Sequence, residues 1–150
     1  MHAALLTLHV TTGAVALILG PVAMFLPKRP QLHLQVGIVY QVSVALLCLS
    51  AFGLTAIHPV LWGLDVVVAA MWASALAGWW VRRHQPRGWL PLHVGFMGGS
   101  YVALTTAFLA VNLGPGSAIA WALPTVVGGS AIAWRSALAA RQPRTRPLGQ

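Results

Sequence analysis

The sequence predicts an all-α protein: a polytopic helical bundle of five transmembrane helices, N-terminus outside and C-terminus in the cytoplasm. Three observations carry that expectation. Of 150 residues, 58% are hydrophobic and 7% charged, with Asp65 the single acidic residue. A soluble domain of this length carries several times more charge. Apolar stretches able to cross about 30 Å of hydrocarbon at about 1.5 Å per residue recur five times. The nine Lys and Arg residues fall on alternate sides of those stretches, the sorting that the positive-inside rule produces.

The first span is expected over 3–26. It lacks a basic leader and is too long for a signal-peptide core, so it reads as a retained helix. Pro27, Lys28, Arg29 and Pro30 break the chain before a second span over 34–57. An uncharged break at His58-Pro59 opens a third, over 59–81, which Arg82, Arg83, Pro86 and Arg87 close. A fourth span covers 89–112 and ends at the uncharged Leu113-Gly114-Pro115-Gly116. The fifth covers 117–138, with Pro124 expected to kink it. Residues 1–140 thus form one transmembrane domain, and 141–150, RQPRTRPLGQ, a disordered basic cytoplasmic tail. Every span is helical because backbone in lipid must satisfy its own hydrogen bonds. Trp79, Trp80, Trp89 and Trp134 at the basic ends, with Trp62 and Trp121 at the other, form the interfacial belt. Trp72 alone sits mid-span, packed against a neighbour or a ligand.

Several function classes drop out. The net charge of +8 is topogenic, facing lipid headgroups, and no basic face lies outside the membrane boundary for nucleic acid. Cys48 is the only cysteine and behaves as a small hydrophobe inside its span. No nucleophile elbow, Walker loop, HExxH or CxxCH occurs, so no catalytic motif is recognisable and a conventional soluble-enzyme reading has nothing to stand on. The expected location is a bacterial cytoplasmic membrane; Arg outnumbers Lys eight to one, which is consistent with a GC-rich bacterial genome. The expected partners are the bilayer and either a larger membrane complex or a second copy of the chain.

Ionisable groups inside spans are costly and tend to be functional. His33 opens the second span, and His93 lies about one turn inside the fourth, at similar depth on the basic side. Spacings of four and seven carry each face deeper: His33, Gly37 and Tyr40; His93, Met97 and Ser100, with Tyr101 beside it. Two imidazoles on non-adjacent helices are what the iron of a b-type haem takes as axial ligands. His33 and His93 are therefore candidate haem-iron ligands, with Tyr40, Met97 and Tyr101 around the cofactor and nearby Arg side chains on its propionates. Another metal or a quinone-like ligand is one alternative for these histidines, and interfacial or helix-end roles are the plain one. Toward the outer side, His9 and Asp65 each lie about 9 Å into their spans and form a candidate buried ion pair or proton site. His9, Gly13, Ala16 and Gly20 line one face of the first span, where a neighbour can approach the backbone closely.

These residues also carry a resemblance. The pattern His9-xxx-Gly13, Gly20-Pro21, Lys28, Leu32-His33-xxx-Gly37-xx-Tyr40 and His93-xxx-Met97-xx-Ser100-Tyr101 resembles small bacterial predicted membrane proteins of the domain-of-unknown-function 2306 type. It covers about two thirds of the chain. Leu34 and Phe96 stand where that pattern often has Arg and Trp. The resemblance implies a polytopic membrane protein and no particular reaction. A looser similarity, in placement only, is to the di-haem cytochrome b membrane reductases. The leading expectation is a haem-binding electron-transfer protein. A non-catalytic accessory or assembly subunit comes second, and a small proton-coupled transporter using His9 and Asp65 third.

Overall fold

The computed structural model describes residues 2–26 and 29–141. Lys28 and the tail from 142 onward lie outside them. The chain forms five long helices: α1 His2–Phe25, α2 Pro30–Ile57, α3 Asp65–His84, α4 Trp89–Leu113 and α5 Ala118–Ala140. Among the described residues four segments are long and apolar enough to cross a membrane: His2–Phe25, Pro30–Ile57, Pro59–His84 and Trp89–Leu113. α5 is not among them.

Helix ends follow local chemistry and revise two expected limits. Pro30 occupies the first turn of α2, where its fixed φ suits a helix start and its missing N–H costs nothing. α2 therefore begins four residues before the expected 34, and His33 lies within its first turns. The third span begins as a 3₁₀ helix over Pro59–Leu64, interrupted at Leu61 (φ −109°, ψ 18°). Asp65 consequently heads α3 instead of lying inside one continuous helix. α3 stops at Gln85, whose φ of 46° is left-handed, and Gly88 at φ 72° turns the chain into α4.

Consecutive helices run antiparallel. α1 packs along α2, α3 along α4, α4 along α5, and α1 closes against α4; the α2–α3 seam is thinner. Tyr40, Ser43, Val44, Leu47, Cys48, Ser50 and Ala51 form the buried face of α2, at the three- and four-residue spacing of one helical stripe. They pack with Ala16, Val68, Met71, Ala75 and Leu104. Gly20 lets α4 come close: a Cβ there would run into the Tyr101 ring, whose hydroxyl donates to the Leu17 carbonyl at 3.1 Å. Large apolar side chains such as Val10, Ile18, Leu34, Val66 and Val126 remain outward-facing, as lipid requires and water penalises.

The alternating direction of the helices gathers Arg29, Arg82, Arg83, Arg87 and Arg135 at one end of the bundle. Arg135 on α5 donates to the Met24 carbonyl at 3.1 Å, tying α5 to the last turns of α1. Asp65 lies toward the opposite end.

Candidate functional site

At the basic end a cleft opens between α2, α3 and α4. His33, Gly37 and Gln41 line it from α2, Trp79 and Arg82 from α3, and His93 and Met97 from α4. Local structure accounts for the meeting of the two histidines. The tight Gln85–Gly88 turn returns the chain beside α3, and His93 Nδ1 then lies 2.9 Å from the Gly78 carbonyl. A carbonyl only accepts, so Nδ1 carries the proton and Nε2 the lone pair of the neutral ring. Gly78 suits this place because a Cβ there would lie 2.7 Å from Met97 Sδ. The His33 and His93 rings approach each other edge to face across the cleft, centroids 6.4 Å apart and planes at 71°.

That spacing has a chemical meaning. Two imidazole nitrogens each about 2.0–2.1 Å from a shared metal ion, on opposite sides of it, place their ring centroids about 6 Å apart. A ligating histidine ordinarily donates its other N–H to a carbonyl or carboxylate, the arrangement His93 has with Gly78. Among the described residues no group of three or more His, Cys, Asp or Glu side chains gathers. A haem brings four nitrogens of its own and takes axial ligands from the protein. At the mouth, Arg82 lies over the Trp89 ring at 5.2 Å, and Trp89 lies 6.3 Å from the His93 ring. The cleft measures about 80 Å³, so a tetrapyrrole enters only if the basic ends of α2 and α4 part.

The other expected residues separate by direction. Met97 lines the cleft. Tyr40 lies two turns deeper, buried, its hydroxyl 2.9 Å from Ser100 Oγ; Ser100 donates onward to the Met97 carbonyl at 2.8 Å, so Tyr40 is the donor of the pair. This bond closes the floor below the histidines. Tyr101 points instead to α1 and does not line the cleft. Gln41 went unnoticed in the sequence, although an amide in the interior of an apolar span is a costly placement and hence a signal. Its Nε2 donates to the Ala75 carbonyl at 2.6 Å across the α2–α3 seam.

The structure does not join His9 and Asp65. His9 Nδ1 lies 3.3 Å from Ser50 Oγ on α2. Asp65 Oδ1 is buried and has no hydrogen-bond partner among the described residues. The reason is the 3₁₀ segment: it places Asp65 in the first turn of α3, while adjacent Leu64 packs with Ala110 and Ala120 of α4 and α5. At the same end His2 and His58 meet edge to face, 4.9 Å apart. His84 stacks on Trp80 at 4.6 Å. Trp72 lies partly buried against the core, so the packing expected of it is present.

No protein-family model matches the chain, and no curated protein or solved structure matches it either.

Proposed function

We propose that this chain is a multi-pass membrane protein of electron transfer that holds a b-type haem iron between His33 and His93. The observation that carries the reading is the 6.4 Å separation of the two rings, with the Nδ1 proton of His93 committed to Gly78. A haem bound there would supply one-electron exchange at its iron. The chain's own contributions are distinct. His33 and His93 present ring nitrogens from two helices, and Gly78 fixes the tautomer of one of them. Met97 and Gly37 leave an apolar wall, and Arg82 places a fixed positive charge at the mouth, where propionates are neutralised. Below the cleft the Tyr40–Ser100 bond holds α2 to α4, so their basic ends are the parts that open to admit the haem and close again to the present ring spacing once the iron is held.

In this reading α5 crosses the membrane with the other four helices, despite Pro124 and Arg135. The N-terminus lies outside, the Arg-rich end lies in the cytoplasm, and the membrane is a bacterial cytoplasmic membrane. The support is the charge sorting across successive breaks. With Cys48 replaced by Ser, a cysteine at Arg141 should react with impermeant thiol reagents only in inverted vesicles. Labelling of Arg141→Cys in intact cells would reverse the orientation.

The decisive measurement is the visible spectrum of protein purified from haem-replete cells. A reducible b-type spectrum is expected, lost in His33→Ala and in His93→Ala while helix content holds. A folded, colourless wild-type preparation would overturn the reading.

A further inference from the structure

A second hollow lies along the thin α2–α3 seam, deeper than the histidine cleft and bordering it. Gln41, Ala45, Trp72, Leu76 and Trp79 line it; Gln41 and Trp79 line the histidine cleft as well. Its volume is about 210 Å³. A cavity of about 150 Å³ is enough to hold benzene, so the hollow has room for one six-membered ring with substituents. It faces outward: Leu76 and Trp79 are each 49% exposed, and that side of the seam adjoins lipid.

The lining specifies more than an acyl chain. Trp72, Leu76 and Trp79 recur at four and three residues on one face of α3, giving two indoles about 10 Å apart along the axis. Opposite them is Gln41. One amide hydrogen of Gln41 goes to the Ala75 carbonyl, and among the described residues nothing else bonds that amide. Its second N–H and its oxygen face the cost of an unpaired amide at membrane depth. A hydrocarbon tail offers them nothing. A phosphate headgroup stays at the interface, whereas Gln41 lies in the interior of α2. A planar ring bearing carbonyl or hydroxyl oxygens satisfies the amide, stacks on indole faces, and reaches the site from the bilayer.

We infer that this hollow binds a lipid-soluble quinone: its ring between Gln41 and the Trp72 and Trp79 indoles, its isoprenoid tail leaving through the seam into lipid. A carbonyl oxygen of the ring accepts from the second N–H of Gln41. Because Gln41 and Trp79 are shared, the bound ring borders the His33–His93 cleft. The inference needs no iron at that cleft.

The experiment is a titration of the purified full-length protein in detergent with decylubiquinone, read by quenching of tryptophan fluorescence. Saturable quenching at about one quinone per chain is expected. Gln41→Leu should weaken binding at least tenfold, and Ala45→Phe, which fills the hollow but keeps Gln41, should abolish saturation. Trp134→Phe, on α5, should leave the affinity unchanged. Circular dichroism and gel filtration identify folded variants; if Gln41→Leu misfolds, Ala45→Phe decides. Quenching that rises in proportion to quinone without saturating would overturn the inference. So would unchanged affinity in folded Gln41→Leu or Ala45→Phe, or displacement of quinone by equimolar phosphatidylglycerol. The haem spectrum is recorded separately, so a red protein without saturable quenching and a colourless one with it refute different proposals.

Discussion

The two ends of the bundle treat their histidines differently. At the basic end His33 and His93 meet edge to face across a cleft, one ring anchored to a backbone carbonyl. Toward the opposite end His9 turns to Ser50 on α2, and Asp65 heads a helix whose first residues pack toward α4 and α5. Both pairs sit at matched depth in sequence terms. Depth is thus only half of a meeting, and direction around the bundle axis supplies the rest. α2 and α4 turn their basic-end faces toward a common space. α1 and the start of α3 do not, because six residues of 3₁₀ helix change where Asp65 emerges.

The largest expected effect would break that contrast outright. His93→Ala should remove any b-type absorbance completely, while His9→Ala leaves it intact; equal loss in both, read from reduced-minus-oxidised spectra, would erase the distinction between the ends. Gly78→Ala comes next. A Cβ there meets Met97 and displaces the carbonyl that holds His93, and loss of such an outer partner costs at least about tenfold in cofactor affinity. Haem titration of the stripped protein would measure it, and an unchanged affinity would remove Gly78 from the site.

Gly20→Val tests packing away from both ends. Its side chain collides with Tyr101, and overpacking of this kind costs about 1–3 kcal/mol, visible as a lower unfolding midpoint in SDS. Tyr40→Phe removes the hydrogen bond to Ser100 beneath the cleft. Such bonds average about 0.6 kcal/mol within membranes, so the midpoint should fall less than for Gly20→Val. The direction reverses for Asp65→Asn. Its Oδ1 is buried with no hydrogen-bond partner among the described residues, so replacing the carboxylate by an amide removes a desolvation cost and the unfolding midpoint should rise; a fall would reveal a role for the carboxylate that the His9 end lacks in this structure.

Much of this architecture was legible in the residues. Long apolar stretches gave five helices within a few residues of their limits, and Pro30 and Gly88 explain where two of them begin. The 3₁₀ segment was not legible, since Pro59-Val-Leu-Trp-Gly-Leu64 is as apolar as the helix it precedes and length alone reads it as α-helix. Within the site, spacing placed His33, His93 and Met97 correctly on shared faces. Tyr101 was assigned to the cleft because it neighbours Ser100, but one residue turns a helical side chain by about 100°, which carries it to α1. Gln41 escaped notice because its partner, the Ala75 carbonyl, is backbone on another helix.

By itself, the sequence determined the helices and the end of the bundle that carries positive charge, and its long apolar stretches point to lipid as the solvent. Those depend on composition and local order, which hydrocarbon thickness and backbone hydrogen bonding constrain directly. Tertiary structure alone decided which polar residues meet. His93 finds Gly78, Tyr40 finds Ser100, and Asp65 passes His9 by, because contact depends on the rotation of each helix about its axis. That rotation is set by close packing with neighbours distant in the chain, Gly20 against Tyr101 and Gly78 against Met97 among them.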